Sequence, residues 1–367
     1  MGKVYSMTIY QDSKRMVGTS SDFTPIASGW KFLKRVTVGA GVTSINLDVT
    51  TIPDKPYYMI LHNHLNDGTA MRIGIKLNGD DGTPYSYSET RSPNGANDTT
   101  NTGGSELNVT DAANTAEDWF GVMYLANKAS RNKLLISDYV GQNATGVTNV
   151  PNRVRFNGKW TKGTAAVDQI TASRVSGGGV ADSGSELIVL GYDPADTHTT
   201  NFWEELADIS LTSTNTSLDS GTFTAKKYLW VQMYQKGMTG NNTLYNFNSD
   251  TASNYSRRWN IDGGNDFTTG STTGLMCHNA VGTQTDNFFN MFIVNNSANE
   301  KLVISSSVYT ISTGAGSPPS REEHVGKWHR VSGSGTGDAS SQITSIQFDH
   351  GGSNFGIGSS IKVWGSN

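Results

Sequence analysis

The chain is written twice. Phe120 to Ile136 reads FGVMYLANKASRNKLLI, and Phe288 to Ile304 reads FFNMFIVNNSANEKLVI. The tripeptide Gly158-Lys159-Trp160 returns in the same frame as Gly326-Lys327-Trp328. Gln169-Ile170-Thr171 matches Gln342-Ile343-Thr344, and Gly184 to Gly191 matches Gly358 to Gly365. Upstream, Leu77-Asn78-Gly79-Asp80 with Tyr85-Ser86 answers Phe247-Asn248-Ser249-Asp250 with Tyr255-Ser256. The copies span residues 29–193 and 203–367, 165 residues each, enough for an independent core. A unit this long is a globular domain rather than one turn of a solenoid. Residues shared by both copies are expected to be scaffold; residues in one copy only are drift or specialisation.

The domain plan is then an N-terminal arm (1–28), a first repeat (29–193), a linker (194–202, PADTHTTNF) and a second repeat (203–367). The 41 glycines, among many Ser, Thr and Asn, signal abundant turns. The formal net charge is −4 and no Lys/Arg run occurs, which argues against direct nucleic-acid binding. No apolar run reaches the length of a membrane span, so no membrane insertion is expected. The first residues, MGKVYSMTIYQDSKRM, lack the apolar stretch of a secretory signal, which points to synthesis in a cytoplasm. The lone Cys277 excludes an internal disulfide and reads as a small buried thiol.

Strand signals dominate. Residues 36–49 (VTVGAGVTSINLDV) alternate around a glycine turn, and Met71 to Leu77 alternates with period two. Tyr57 to Leu61 and Tyr228 to Met233 are aromatic-rich runs of strand length. Asn-Asp-Gly, Asn-Gly and Asp-Asp-Gly clusters between them are hairpin and loop chemistry. Residues 114–124 are the single helix candidate. The expected fold is all-β: two tandem jelly-roll-like antiparallel β-sandwiches plus a short arm. Trp160, Trp328, Trp30 and Trp203 are expected to pack the cores or sheets, since large aromatics dominate burial in β cores.

No chemistry survives comparison of the copies. His62 and His64, two apart on a strand, share a face as metal ligands can. The second copy has Met233 and Gln235 there, and no third ligand can be named. Asn78 to Gly82 and Asn248 to Asp250 offer oxygens for Ca²⁺, yet match no full Ca²⁺ loop and suit plain turns. Glu117 and Asp118 are sequence neighbours, so they do not face each other across a substrate as glycosidase carboxylates do. No nucleophile elbow and no phosphate-binding glycine loop is present. The expectation is no catalytic residue, no metal and no cofactor.

The order of these motifs resembles that of tailed-bacteriophage virion proteins with tandem β-sandwich domains. In each repeat a Tyr-rich strand leads to (Leu/Phe)-Asn-x-Asp-x-x-x-x-Tyr, then Gly-Lys-Trp, then a closing Ile-x-Val-Trp-Gly or Leu-Ile-Val-Leu-Gly. The likeness covers both repeats but not the arm. It implies a non-enzymatic structural protein of the virion, made in the host cytoplasm. A capsid decoration or cement protein comes first, because the chain has no long shaft segment. A tail-fibre or receptor-binding protein reading host glycans is the alternative; a polysaccharide-active enzyme or carbohydrate-binding pair ranks below both. Expected partners are other virion proteins, the major capsid protein or tail proteins. Host glycans and a homo-oligomer, with a trimer as first guess, complete the set. In the arm, Val4, Met7, Ile9 and Tyr10 alternate with polar residues like a strand awaiting a partner's sheet edge.

Overall fold

The structure, a computed structural model, describes residues 10–11, 14–15, 29–47, 52–92, 99–110, 116–162, 165–196, 201–239, 242–278, 283–310, 314–329 and 341–367. The described residues contain strands and no helix. Two short strands, β1 (Tyr10–Gln11) and β2 (Lys14–Arg15), pair antiparallel in a sheet of their own. The rest forms two β-sandwiches.

The first contains β3 (Lys31–Thr37), β4 (Ser44–Leu47), β5 (Tyr57–His64), β6 (Met71–Leu77), β7 (Tyr85–Arg91) and β8 (Thr99–Gly104). It continues with β9 (Leu107–Asn108), β10 (Trp119–Ala126), β11 (Lys133–Gly141), β12 (Asn152–Trp160), β13 (Ile170–Gly177) and β14 (Glu186–Tyr192). One sheet runs β3-β14-β5-β10-β11-β12-β7-β8 and the other β4-β13-β6-β9. Leaving out the hairpin partners β7–β8 and β11–β12, the remaining eight strands form two four-stranded orders, β3-β14-β5-β10 and β4-β13-β6-β9, with only β6 and β9 consecutive in one sheet, which is jelly-roll winding. The two hairpins widen only the large sheet.

The second sandwich repeats this strand for strand. Its members are β15 (Glu204–Ser210), β16 (Ser217–Asp219), β17 (Tyr228–Thr239), β18 (Thr243–Phe247), β19 (Tyr255–Ile261) and β20 (Phe267–Thr272). Then come β21 (Leu275–His278), β22 (Thr283–Val294), β23 (Lys301–Tyr309), β24 (Ser320–Trp328), β25 (Ile346–His350) and β26 (Ser360–Ser366). The orders are β15-β26-β17-β22-β23-β24-β19-β20 and β16-β25-β18-β21.

Shared residues fix the same points in both units. Asn78 and Gly79 have φ of 53° and 60°, Asn248 and Ser249 of 54° and 55°. The Asp80 and Asp250 amides close these turns onto Leu77 and Phe247, so two positive-φ residues open each connection from the small sheet to the large one. The hydroxyls of Tyr85 and Tyr255 tie to the backbone of Leu77 and Phe247. Trp160 and Trp328 are buried in their cores. A Cβ on Gly158 or Gly326 would meet Leu107 or Leu275 of the opposing sheet at 2.8 and 2.7 Å, which is why the tripeptide begins with glycine.

Two sequence readings are corrected. Within 114–124, residues 119–124 are not helical; they lie in the strand Trp119–Ala126, an apolar run buried on both faces. Such unbroken apolar runs mark strands covered on both sides. The Gln-Ile-Thr match is out of register by three residues. The side chain of Asn127 accepts from the Val167 amide and that of Asn295 from the Ile343 amide, and Leu77 and Phe247 pair with Ile170 and Ile346. The true equivalents are Val167 with Ile343 and Ile170 with Ile346.

Candidate interaction surface

The two sandwiches pack back to back through the outer faces of their large sheets. Met59, Leu61, Phe120, Val122, Val140, Ile188 and Leu190 of the first unit form one buried cluster with residues of the second. These are Trp203, Tyr228, Phe292, Val294, Leu302, Ile304, Val325 and Trp364, joined by Phe202 of the linker. Trp30 and Trp203 belong here rather than in either core: Trp203 meets Phe202, Trp230 and Phe292, with Phe202 stacked on Phe32. Strands such as β5 and β10 are therefore covered by their own small sheet on one side and by the sister unit on the other.

Polar contacts lock the packing. The segment 142–151, between β11 and β12, projects as a knob onto β19, β20, β24 and Glu300 just before β23. Lys327 Nζ donates to the carbonyls of Gln142 and Ala144 and pairs with Glu300 at 3.2 Å. Glu300 also accepts from Gln142 Nε2 at 2.9 Å and the Gly146 amide at 2.7 Å. Burial pushes the Lys327 ammonium below its usual pKa, and Glu300 opposes that. Arg258 Nε donates to the Pro151 carbonyl, and the Ser271 amide to that of Val147. Beside the knob, buried Arg153 pairs with Asp266 at 2.8 Å and Glu323 at 2.9 Å; Arg155 also pairs with Glu323. Across the interface at β5 and β14, Tyr228 donates to Glu186 at 2.6 Å, Lys227 pairs with Glu186 at 3.0 Å, and Asn296 donates to Asn63. Burial acts against the charge on Glu186, but these partners hold its carboxyl below the usual range.

A cleft of about 220 Å³ remains between the sheets, lined by Tyr124, Asp138, Arg153, Arg155, Phe292 and Glu323 among others. Its charges are committed to one another: Asp138 lies 3.3 Å from Arg155. Desolvation raises the Asp138 pKa, and it also raises that of Tyr124, with Asp138 adding to it.

The candidate residues read from the sequence fall elsewhere. Val4, Met7 and Ile9 lie outside the described residues; Tyr10 is described only as backbone in β1, paired with Arg15. His62 and His64 face the first core, beside Tyr139, and burial lowers both pKa values, that of His62 to about 4. Asp80 accepts from Trp160 Nε1 and the Gly82 amide, and Asp250 from Trp328 Nε1 and the Ala252 amide, so these carboxylates brace turn and core. Glu117 accepts from the Asn143 amide and Asn152 Nδ2 and so holds the base of the knob. Asp118 accepts from the Asn66 amide and from Asn299 across the interface. Cys277 is buried, and desolvation raises its thiol pKa. Among the described residues no group of three or more His, Cys, Asp or Glu is placed to hold a metal ion, and no helix is long and apolar enough to cross a membrane.

No family model and no curated protein matches the chain. Among solved structures it is similar to domains LG4-5 of the mouse laminin α1 chain, at 9% identity and TM-score 0.15, covering 90% of this chain and 91% of that one. It is also similar to the infectious bursal disease virus VP2 subviral particle, at 10% identity and TM-score 0.12, covering 91% and 80%. Neisserial surface protein A follows at 5% identity and TM-score 0.11, covering 80% and 97%. These scores are too low to carry an argument about fold or function.

Proposed function

We propose that the chain is a non-enzymatic structural protein of a virus particle, displayed on the capsid surface as a decoration protein. The observation that carries the reading is the fusion of two jelly rolls, through apolar faces and a buried ion network, into one stiff body. A rigid block with turn-rich polar edges suits display on a shell. The cleft between the units supports a structural reading over a catalytic one, because its carboxylates and guanidiniums pair with each other. The motif order of the repeats points the same way, toward bacteriophage virion domains.

The test is imaging of purified particles carrying a label on this chain. Label spread over the head shell is the expected result. Label confined to the tail replaces decoration by a fibre or receptor-binding role. Absence of the chain from purified particles overturns the virion assignment.

A further inference from the structure

The two units are nearly the same shape and meet through overlapping but offset surfaces: Leu190 and its equivalent Trp364 are both buried in the contact, while the flanking positions differ. A two-fold contact would bury equivalent residues on both sides. Here Phe120 and Val140 of the first unit are 1% and 0% exposed, while their equivalents Phe288 and Val308 are 44% and 40% exposed. Conversely, Leu302 and Ile304 of the second unit are 2% and 6% exposed, while their equivalents Leu134 and Ile136 are 58% and 57% exposed. The first unit presents a knob face and the second a seat face. The contact is heterologous at its flanks, and it leaves the outer part of one seat and one knob exposed.

The unused seat is visible as a groove. It has a volume of about 470 Å³ on the outer face of the first large sheet, lined by Ser86, Ser88, Thr102, Leu134, Ile136 and Lys159 among others. Strand pairing makes Ser86 the equivalent of Ser256, Ser88 of Arg258 and Lys159 of Lys327. Ser256, Arg258 and Lys327 are among the residues that receive the 142–151 knob. The unused knob is segment 314–319, between β23 and β24, with every residue exposed. It matches the first knob at two conformationally restricted points. Gly314 stands for Gly146, both at positive φ (88° and 100°), and Pro319 stands for Pro151.

We propose that copies of this chain associate head to tail. The Phe288, Val308 and 314–319 edge of one copy docks into the Leu134, Ile136 and Ser86 groove of the next, reusing the outer part of the internal contact, since its centre around Leu190 and Trp364 is already filled within each chain. The occupant of the groove is thus a second copy, argued from the mated equivalents of both faces. A heterologous contact closes into a ring or runs on as a filament, according to its rotation. The inference is independent of where on a particle the protein sits.

Light scattering on the full-length chain, eluted over a range extending to high micromolar concentration, tests it. The wild type is expected to show masses above the 39.5 kDa of one chain. Leu134→Glu with Ile136→Glu spoils the seat, and Phe288→Glu with Val308→Glu spoils the knob. Each variant alone is expected to run as a single chain, with circular dichroism showing an unchanged strand content. An equimolar mixture of the two is expected to give a species of two chains and nothing larger, because one good seat and one good knob remain. Ser86→Arg, which fills the groove from its polar side, stands in for the seat variant if that variant does not fold. A wild type that stays monomeric throughout, variants that keep the assembled mass, or a mixture that never pairs overturns the proposal.

Discussion

Lys159 and Lys327 are the same residue of the same tripeptide, 168 positions apart, and the first is exposed while the second is sealed between the two units. Lys327 donates to the Gln142 and Ala144 carbonyls and pairs with Glu300. Removing it leaves a carboxylate and two carbonyls short of a partner inside the interface. We expect Lys327→Ala to cost about 3 kcal/mol of stability. Lys159→Ala should fall within about 0.5 kcal/mol of wild type under the same conditions. Urea unfolding of the two variants side by side measures the difference, and equal effects would contradict the interface described above.

Trp160→Phe and Trp328→Phe should behave alike, since each indole donates to the aspartate that closes its own turn, at 2.9 and 2.8 Å. We expect each to lose about 1.5–3 kcal/mol, the range for a hydrogen bond to a charged group. Because these aspartates are occupied by indole and amide donors, a chelator should leave the melting temperature of the wild type unchanged. A melting temperature that falls with chelator would instead place a cation at Asp80, Asp81 or Asp250.

Much of the fold was legible because it rests on local chemistry. The Asn-Gly turn of residues 78–79, the Tyr85 and Tyr255 hydroxyls and Gly-Lys-Trp are short-range devices, and duplication displays each of them twice. The interface was not legible, because it comes from comparing burial at equivalent positions, and sequence equates Leu134 with Leu302. One signal was present. Tyr58 to Leu61 and Trp119 to Leu125 run apolar without alternation, a pattern for strands covered on both faces that Met71 to Leu77 does not share in its chemistry. The three-residue slip at Gln169 arose because Gln-Ile-Thr recurs by composition, while the Asn127 and Asn295 side chains, which set the register, lie far away in the chain.

The two sandwiches should unfold together. Their shared cluster takes in strands from both large sheets, and Arg153 binds Asp266 and Glu323 of the sister unit while itself 3% exposed. Calorimetry is expected to show a single transition. Arg153→Ala should lower its midpoint, with a cost of about 3 kcal/mol for removing a buried cation that two carboxylates share. Arg321, the exposed equivalent, should tolerate the same change. Two separate transitions, with only one of them shifted by Arg153→Ala, would mean that the units are thermodynamically independent.

Stability should fall as pH drops from about 6.5 toward about 4. His62 and His278 are fully buried, and burial lowers each from its ordinary 6.5 to about 4. At His278, Glu322 opposes the shift, while His324 and His350 add to it. The folded protein therefore keeps both rings neutral where the unfolded chain protonates them. A group depressed in this way contributes its full stability above the unfolded value and loses it as pH falls to the folded value. A displacement from 6.5 to about 4 corresponds to about 3 kcal/mol per site. His62→Met isolates one contribution, since strand pairing places buried Met233 at the equivalent position of the second unit. The substitution also removes a buried Nε2 that has no hydrogen-bond partner. The variant should match or exceed wild-type stability at pH 7.5 and lose less of it by pH 5, read as denaturant midpoints at the two pH values. Midpoints that shift equally with pH in both proteins would show that His62 does not carry the effect.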